Sequence, residues 1–457
     1  MAASSADGAT GQHTAGSKRD AMGVGLALLN KLAGAPLLDR FGLRKPVEKA
    51  VYEATRTGFR TAAAAGRSFA AVQRVGKPAR PRTDGGSGLF DLTPTEDQQL
   101  IRDTVAEFAT EQLRERSAES DANCAAPEDL IAKSAELGIT LLGVPEELGG
   151  VGTERSALTS VLVAEALAQG DMGLAVACLA SAAVSTALVL WGSSDTQATY
   201  LPAFVGDDVP AAALAITEPR ALFDPFELRT LARRTSGGFV IDGVKSMVAR
   251  AAKAELFVIA AELEGRGPAL FVVESNTEGL SVTADPGMGV RAAGFGRLEL
   301  TKVHVPGSAL LGGVDSAGHN PAAYAECVRL SRLAWCGLAV GTAQAVLDYV
   351  IPYVNDRVAF GEPVSHRQGV AFKVADIAIE LEGMRLATYR AAARADAGAS
   401  FARETALART LCAAKGMRIG SDGVQLLGGH GYVKEHPVER WYRDLRAIGV
   451  AEGIVLV

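Results

Sequence analysis

The chain has no Cys-x-x-Cys pair: its five cysteines, Cys124, Cys178, Cys327, Cys336 and Cys412, stand far apart. That spacing excludes a disulfide-stapled scaffold and a zinc ribbon, and it predicts reduced thiols in a cytoplasmic protein without a metal site. The first twenty residues lack an apolar core, and no stretch approaches roughly eighteen uninterrupted apolar residues, so neither secretion nor a membrane span is expected. A strong charge excess is missing too. With a formal net charge of -6 and 21% charged residues, the chain has no basic character that would make nucleic acid a partner.

What is present is length and apolar content. A chain of 457 residues, 48% of them hydrophobic, exceeds one core and predicts two or three domains. Residues 1–20, rich in Ala, Ser, Gly and Thr, read as a disordered tail. Residues 21–89 read as a basic helical extension and linker. Over residues 1–82, fourteen Lys and Arg face five Asp and Glu. Val51, Ala54, Phe59 and Ala62 to Ala65 fall among Arg56, Arg60 and Arg67, as in a cationic amphipathic helix. The favoured reading is a helix docked on an acidic face of its own protein or a partner; contact with an anionic membrane is the other.

Thr93, Pro94 and Glu96 read as a helix start with a Thr N-cap, Pro at the first position and Glu closing a capping box. Ile101, Val105 and Phe108 continue at helical spacing, and further helices are expected over 126–138, 154–169 and 172–192. Residues 90–208 thus read as an N-terminal helical domain. After Pro210, short runs such as Ala211 to Ile216, Phe239 to Ile241, Leu256 to Ala260, Leu270 to Val273 and Val303 to Val305 alternate with Gly and Pro turns. These predict a middle antiparallel β domain over 209–308. From Pro321 long apolar-periodic segments run with few breakers to Gly428, predicting a C-terminal four-helix bundle within 309–457. The expected class is α+β, mostly α.

Six groups of residues then recur in a fixed order. They are Pro145-Glu146 with Gly149-Gly150 and Gly152; Ile216-Thr217-Glu218-Pro219; and Met288-Gly289-Val290-Arg291 followed by Val303 to Pro306. After these come Arg357, Phe360-Gly361 and Gln368; Gln425, Gly428-Gly429 and Gly431-Tyr432; and Pro437-Val438-Glu439 with Arg443-Asp444. Together, over residues 90–457, they resemble the acyl-CoA dehydrogenase family.

The resemblance implies an FAD-dependent enzyme that removes an α-proton from an acyl-CoA thioester while hydride leaves the β-carbon, giving a trans-2-enoyl-CoA. Electrons would pass to an electron-transfer flavoprotein. The family places its catalytic Glu eight residues beyond the Arg-Asp pair, in a Y-E-G-T motif, and here that position is Glu452 in Ala451-Glu452-Gly453-Ile454. The chemistry asks for a carboxylate kept dry and opposite the flavin. Arg332 resembles the family arginine beside the base and thioester. Thr217 opens the flavin-contacting loop. Arg357, with Phe360 of its R-x-x-F-G motif, Gln368, Gln425 and the Gly428-Gly429 backbone would hold the adenine side of an FAD from the neighbouring subunit; the guanidinium fork of Arg357 suits a diphosphate. A homo- or hetero-oligomer is therefore implied.

The flavin-ring side departs from the pattern. Arg220, Leu222 and Phe223 replace both glycines and the serine of G-x-G-S-D, leaving Asp224, and Met247-Val248-Ala249 stands where the family reads W-I-T. Ile454 replaces the Thr of E-G-T, and the sequence stops at Val457 where relatives continue through another helix. Three readings follow: an active dehydrogenase, alone or in a mixed oligomer; a non-catalytic subunit completing a partner's FAD site; and, less favoured because Glu452 is kept, a flavin oxidase or monooxygenase on the same fold.

Overall fold

The computed structural model describes residues 92–150, 155–206, 208–312 and 320–457. The tail and basic extension lie outside the described residues. Six helices come first: α1 (Glu96–Phe108), α2 (Arg114–Asn123), α3 (Glu128–Glu136), α4 (Ala157–Gly170), α5 (Met172–Trp191) and α6 (Ser194–Val205). A π-helical turn, Ala109–Leu113, joins α1 to α2. The α1 start is shifted from the expected Thr93: Thr95 Oγ1 accepts from the Gln98 amide, and Gln98 returns the bond to the Thr95 N–H. Thr95 and Gln98 satisfy the same reciprocal pattern two residues later, and the Gln98 amide also donates to Thr159 Oγ1 on α4.

Helix α5 is apolar around its whole circumference because it is a core helix. It and the long helix that opens the C-terminal segment are long and apolar enough to cross a membrane by length and composition. Neither is the uninterrupted apolar run that the sequence was expected to lack, and 89% and 72% of their apolar windows are buried inside the protein. Protein, not lipid, covers them.

Eight strands follow, β1 (Ala212–Ala215), β2 (Leu231–Thr235), β3 (Gly238–Val248), β4 (Leu256–Leu263), β5 (Gly267–Glu274), β6 (Leu280–Ala284), β7 (Gly296–Val305) and β8 (Leu310–Leu311). They form one sheet in the order β6-β7-β3-β2-β4-β5-β8, with β1 also on β4. The pairing is antiparallel except where β1 and β2 run parallel to β4. The long connection between β1 and β2 brings the chain back in the same direction, so a hairpin between them is impossible.

The C-terminal segment contains α7 (Pro321–Asp356), a two-residue hairpin of β9 (Val358–Ala359) and β10 (Glu362–Pro363), then α8 (Gln368–Asp396), α9 (Ala402–Leu427) and α10 (Val438–Leu445). Asn320 caps α7 and Pro321 opens it, a position where the missing N–H costs nothing. Helix α7 buries residues on every side, including Trp335, Cys336 and Leu338, and packs on α4, α8 and α9. One apolar core therefore runs from the first helices through α7 into α9 and α10.

A charge cluster ties the three layers together beside α10. Arg443 grips Asp121 of α2 through two N–H···O bonds of 2.9 Å, and Arg440 donates to Asp171 Oδ2 at 3.0 Å and to Ser117 Oγ at 2.8 Å. Asp444 accepts from the Val290 amide of the sheet segment at 2.6 Å. Gly289 is required here, because a Cβ would lie 2.3 Å from the Arg443 carbonyl oxygen.

Candidate functional site

The path from α10 to Glu452 is a short 3₁₀ turn, Arg446–Gly449, after which the backbone bends twice into the left-handed region, at Gly453 (φ 74°) and Ile454 (φ 81°). Glycine is needed at the first bend on two counts: the positive φ, and a Cβ that would fall 2.8 Å from Ile216. Ile454 is a β-branched residue in a strained conformation, so neighbouring contacts must hold it there. They do so through the Gly453 carbonyl, which accepts from Ser331 Oγ at 2.7 Å and from Trp335 Nε1 at 2.9 Å, both on α7.

This bend delivers the Glu452 side chain into the interior, 5% exposed. Arg332, next to Ser331 and one turn before Trp335 on α7, forks onto it. Arg332 Nε lies 3.1 and 2.9 Å from the two carboxylate oxygens, and Nη2 lies 2.7 Å from Oε1. Burial alone would push the Arg332 guanidinium down, but the Glu452 hydrogen bonds and charge outweigh it and hold it above its ordinary range. A second cation, Arg409 of α9, places Nη2 at 2.9 Å from Glu452 Oε1 and at 3.1 Å from the Ala451 carbonyl. Burial pushes Arg409 down, against the pull of Glu452. Its Nη1 is buried with no acceptor among the described residues.

The expected pair Glu452 and Arg332 is thus brought together. Arg409 was not anticipated, because one arginine in an Ala-rich helix carries no spacing signal. Thr217 joins the site from the sheet, but its hydroxyl is spent on the Glu452 carbonyl at 2.7 Å. Beneath it Lys245, fully enclosed, donates to Glu218 Oε1 at 3.0 Å and to the Ile216 carbonyl at 3.1 Å; burial pushes its ammonium down to about 8, against the pull of Glu218.

The segment after Pro219 closes on itself. Arg220 Nη2 donates to the Asp224 and Glu227 carbonyls, and its guanidinium lies over the Phe223 ring at 5.4 Å. Leu222 takes a left-handed φ of 52° and is fully exposed. Phe226, from the same turn, lies under the Arg332 guanidinium at 6.0 Å and meets Tyr324 edge-on. Ala249 is sealed in the core. Residues 220–224 and 247–249 therefore present no free side-chain hydroxyl toward a flavin ring.

The adenine-side residues gather elsewhere. A cleft of about 560 Å³ is lined by Arg357, Arg367, Lys373, Gln425, Gly428 and Gly429, with Tyr353 on its wall. Gln368 begins α8 one residue before the lining Gly369. Phe360, at the hairpin tip with φ 56°, stands 96% exposed and outside the cleft. None of the residues lining this cleft belongs to the Glu452 cluster. The cations, the two glycine amides and Gln425 fit one end of a dinucleotide, while residues 220–224 and 247–249 bring no side-chain hydroxyl to the other.

A helical layer, a mainly antiparallel sheet and a helix bundle, with a buried carboxylate at Glu452, make up the described architecture. Profiles of the acyl-CoA dehydrogenase N-terminal, middle and C-terminal domains match residues 95–208, 213–303 and 322–454. The chain belongs to the acyl-CoA dehydrogenase family. It is 33% identical over 365 residues to the cyclohex-1-ene-1-carbonyl-CoA dehydrogenase of Geobacter metallireducens, covering 79% of this chain and 95% of that protein. Among solved structures, the butyryl-CoA dehydrogenase of Megasphaera elsdenii aligns with a TM-score of 0.72 at 26% identity, over 80% of this chain and 96% of that one. An FAD complex of PigA aligns with a TM-score of 0.72 at 25% identity, over 79% and 95%.

Proposed function

We propose that this chain is an FAD-dependent acyl-CoA dehydrogenase acting on the α,β bond of an acyl-CoA thioester, with Glu452 as the α-proton base. The observation that carries the reading is the burial of Glu452 at the family position, with Thr217 donating to its carbonyl and Ser331 and Trp335 to the carbonyl of Gly453. When bound, FAD supplies the hydride acceptor. This chain's residues do the rest: Glu452 takes the proton, and Arg332 and Arg409 balance its charge. Three N–H donors of Arg332 and Arg409 crowd Oε1, whereas among the described residues Oε2 accepts from Arg332 Nε alone, which leaves Oε2 the freer oxygen for the proton. Arg332 is the more exposed of the two, which makes it the more movable partner.

The Arg357 cleft would hold the adenine end of FAD across a subunit interface, in a homo- or hetero-oligomer. An electron-transfer flavoprotein would take the electrons, and the cytoplasm is the proposed compartment. A second reading is favoured by the one-sidedness of the cofactor residues: a subunit that keeps the Arg357 cleft open for a neighbour while its own flavin side is closed by Arg220, Phe223 and Ala249. The test is the flavin absorbance and acyl-CoA oxidation of the purified chain, alone and coexpressed with a homologue that has intact G-x-G-S-D and W-I-T segments. Stoichiometric flavin and turnover without the homologue support the first reading; flavin and turnover only with it support the second.

A further inference from the structure

A second cleft of about 560 Å³ opens between α3, α5 and the sheet, lined by none of the residues around Glu452 or Arg357. Its floor carries two polar groups with unusual surroundings. Arg250, in the left-handed region at φ 49°, is anchored by its N–H to the Ala293 carbonyl at 2.8 Å, and its side chain is 7% exposed. Thr140, 4% exposed, lines the same cleft, and its Oγ1 has no hydrogen-bond partner among the described residues. A buried hydroxyl without a partner is costly unless something fills the space beside it.

Among the described residues the one counter-ion paired with Arg250 is Glu128 Oε2, at 2.7 Å, and that carboxylate is 58% exposed at the mouth. Asp208 and Glu255 are exposed on the rim, as is Lys253. Rim charges of both signs are screened by water, so the charge that selects a ligand is the enclosed guanidinium. Between floor and rim, Ile131, Ala135 and Val209 supply apolar wall. The Cys178 thiol, which burial pushes up to about 11, stays neutral there.

We propose that this cleft binds a small organic carboxylate with a short apolar body, its anionic end displacing Glu128 from Arg250 and accepting from the Thr140 hydroxyl. A cationic ligand would meet only exposed acids and leave both floor groups unused. The site lies at the junction of the helical layer and the sheet and is independent of the dehydrogenase reading.

Titration calorimetry of sodium butyrate into the purified full-length chain tests it, with inorganic phosphate as the second probe. Butyrate is expected to bind the wild type. Glu128→Gln, at an exposed position, should tighten it about threefold or more by removing the competing carboxylate. Thr140→Val should weaken it about threefold, and Arg250→Gln about tenfold or more, as expected for loss of a neutral and of a charged hydrogen bond. Equal butyrate affinity in the wild type, Glu128→Gln and Thr140→Val overturns the proposal, even if Arg250→Gln fails to fold. An affinity lost in Arg332→Gln instead places the anion at Glu452 and overturns it as well. Phosphate binding tighter than butyrate, with the same Arg250 and Glu128 dependence, overturns the carboxylate assignment.

Discussion

Arg409 Nη2 lies 2.9 Å from Glu452 Oε1 and 3.1 Å from the Ala451 carbonyl, so one guanidinium holds both the side chain and the backbone of the candidate base. Arg332 holds only the side chain. The two arginines therefore do different jobs, one fixing the approach of the chain and the other meeting the carboxylate from the helix that carries Ser331 and Trp335.

Replacing Glu452 with Gln keeps the shape but removes the proton acceptor, so acyl-CoA oxidation should fall about 10²–10⁴-fold. Two half-buried guanidiniums then lose their anion, so a lower melting temperature, by the equivalent of about 1–3 kcal/mol, should accompany it. Steady-state kinetics beside a thermal melt check both, and near-full turnover in the Gln variant ends the assignment.

Arg409→Met should cost about 2 kcal/mol of stability and leave Glu452 paired with Arg332 alone. Arg409→Lys, which keeps a charge but loses the fork, should recover part of that loss and little of the turnover. Equal turnover in Lys and wild type would show that only the charge matters.

Gly453→Ala introduces a Cβ at 2.8 Å from Ile216 on a backbone with φ 74°. The strain and clash together should destabilise by about 2–4 kcal/mol, and turnover should fall with it because Glu452 is the preceding residue. Chemical denaturation measures the first effect. A variant as stable as wild type would mean that Ile216 and the turn relax freely.

Asp444 titrates far from the ordinary carboxylate range: burial, then the Asp171 charge, push it up to about 8, against the Val290 amide, Arg440 and Arg443. Asp171 is also pushed up by burial, though Arg440 and the Leu174 amide oppose this directly. The native state therefore keeps a proton on Asp444 at pH values where the unfolded chain has lost it. Its contribution falls as pH rises from about 4, where the unfolded carboxyl ionises, to about 8, where the native one does. Asp444→Asn should flatten the fall in melting temperature between pH 6 and 8.5 relative to wild type. An unchanged slope would place the proton elsewhere in the cluster.

Much of this arrangement was legible because it depends on local chemistry or on register. Glu452 follows from its spacing after Arg443-Asp444, and the long helices follow from apolar periodicity between breakers. The start of α1 was read two residues early because Thr93-Pro94 and Thr95-Gln98 both satisfy capping rules, and only the packing of Gln98 against α4 separates them. The parallel pairing of β1 and β2 with β4 depends on a return path, and strand composition says nothing about return paths. Arg409 was invisible for a similar reason: its role comes from the distance between two helices that the sequence does not bring together. The family pattern marked Arg220 and Phe223 as losses, but not that Arg220 would seal its own turn against the Asp224 and Glu227 carbonyls.

The charge cluster beside α10 has a consequence for how the protein is made. Arg440 reaches Ser117 across 323 positions of sequence and Arg443 reaches Asp121 across 322, while the Glu452 carbonyl reaches Thr217 across 235. Contacts of such separation close late, after shorter-range helices and hairpins have formed. As the chain leaves the ribosome, the helical layer and the sheet emerge more than a hundred residues before α10 exists to join them. Until then Asp121, Asp171 and the Val290 amide lack the partners that α10 supplies. This segment both locks the three layers and installs the candidate base, so the site cannot assemble before α10 and the Glu452 turn have emerged.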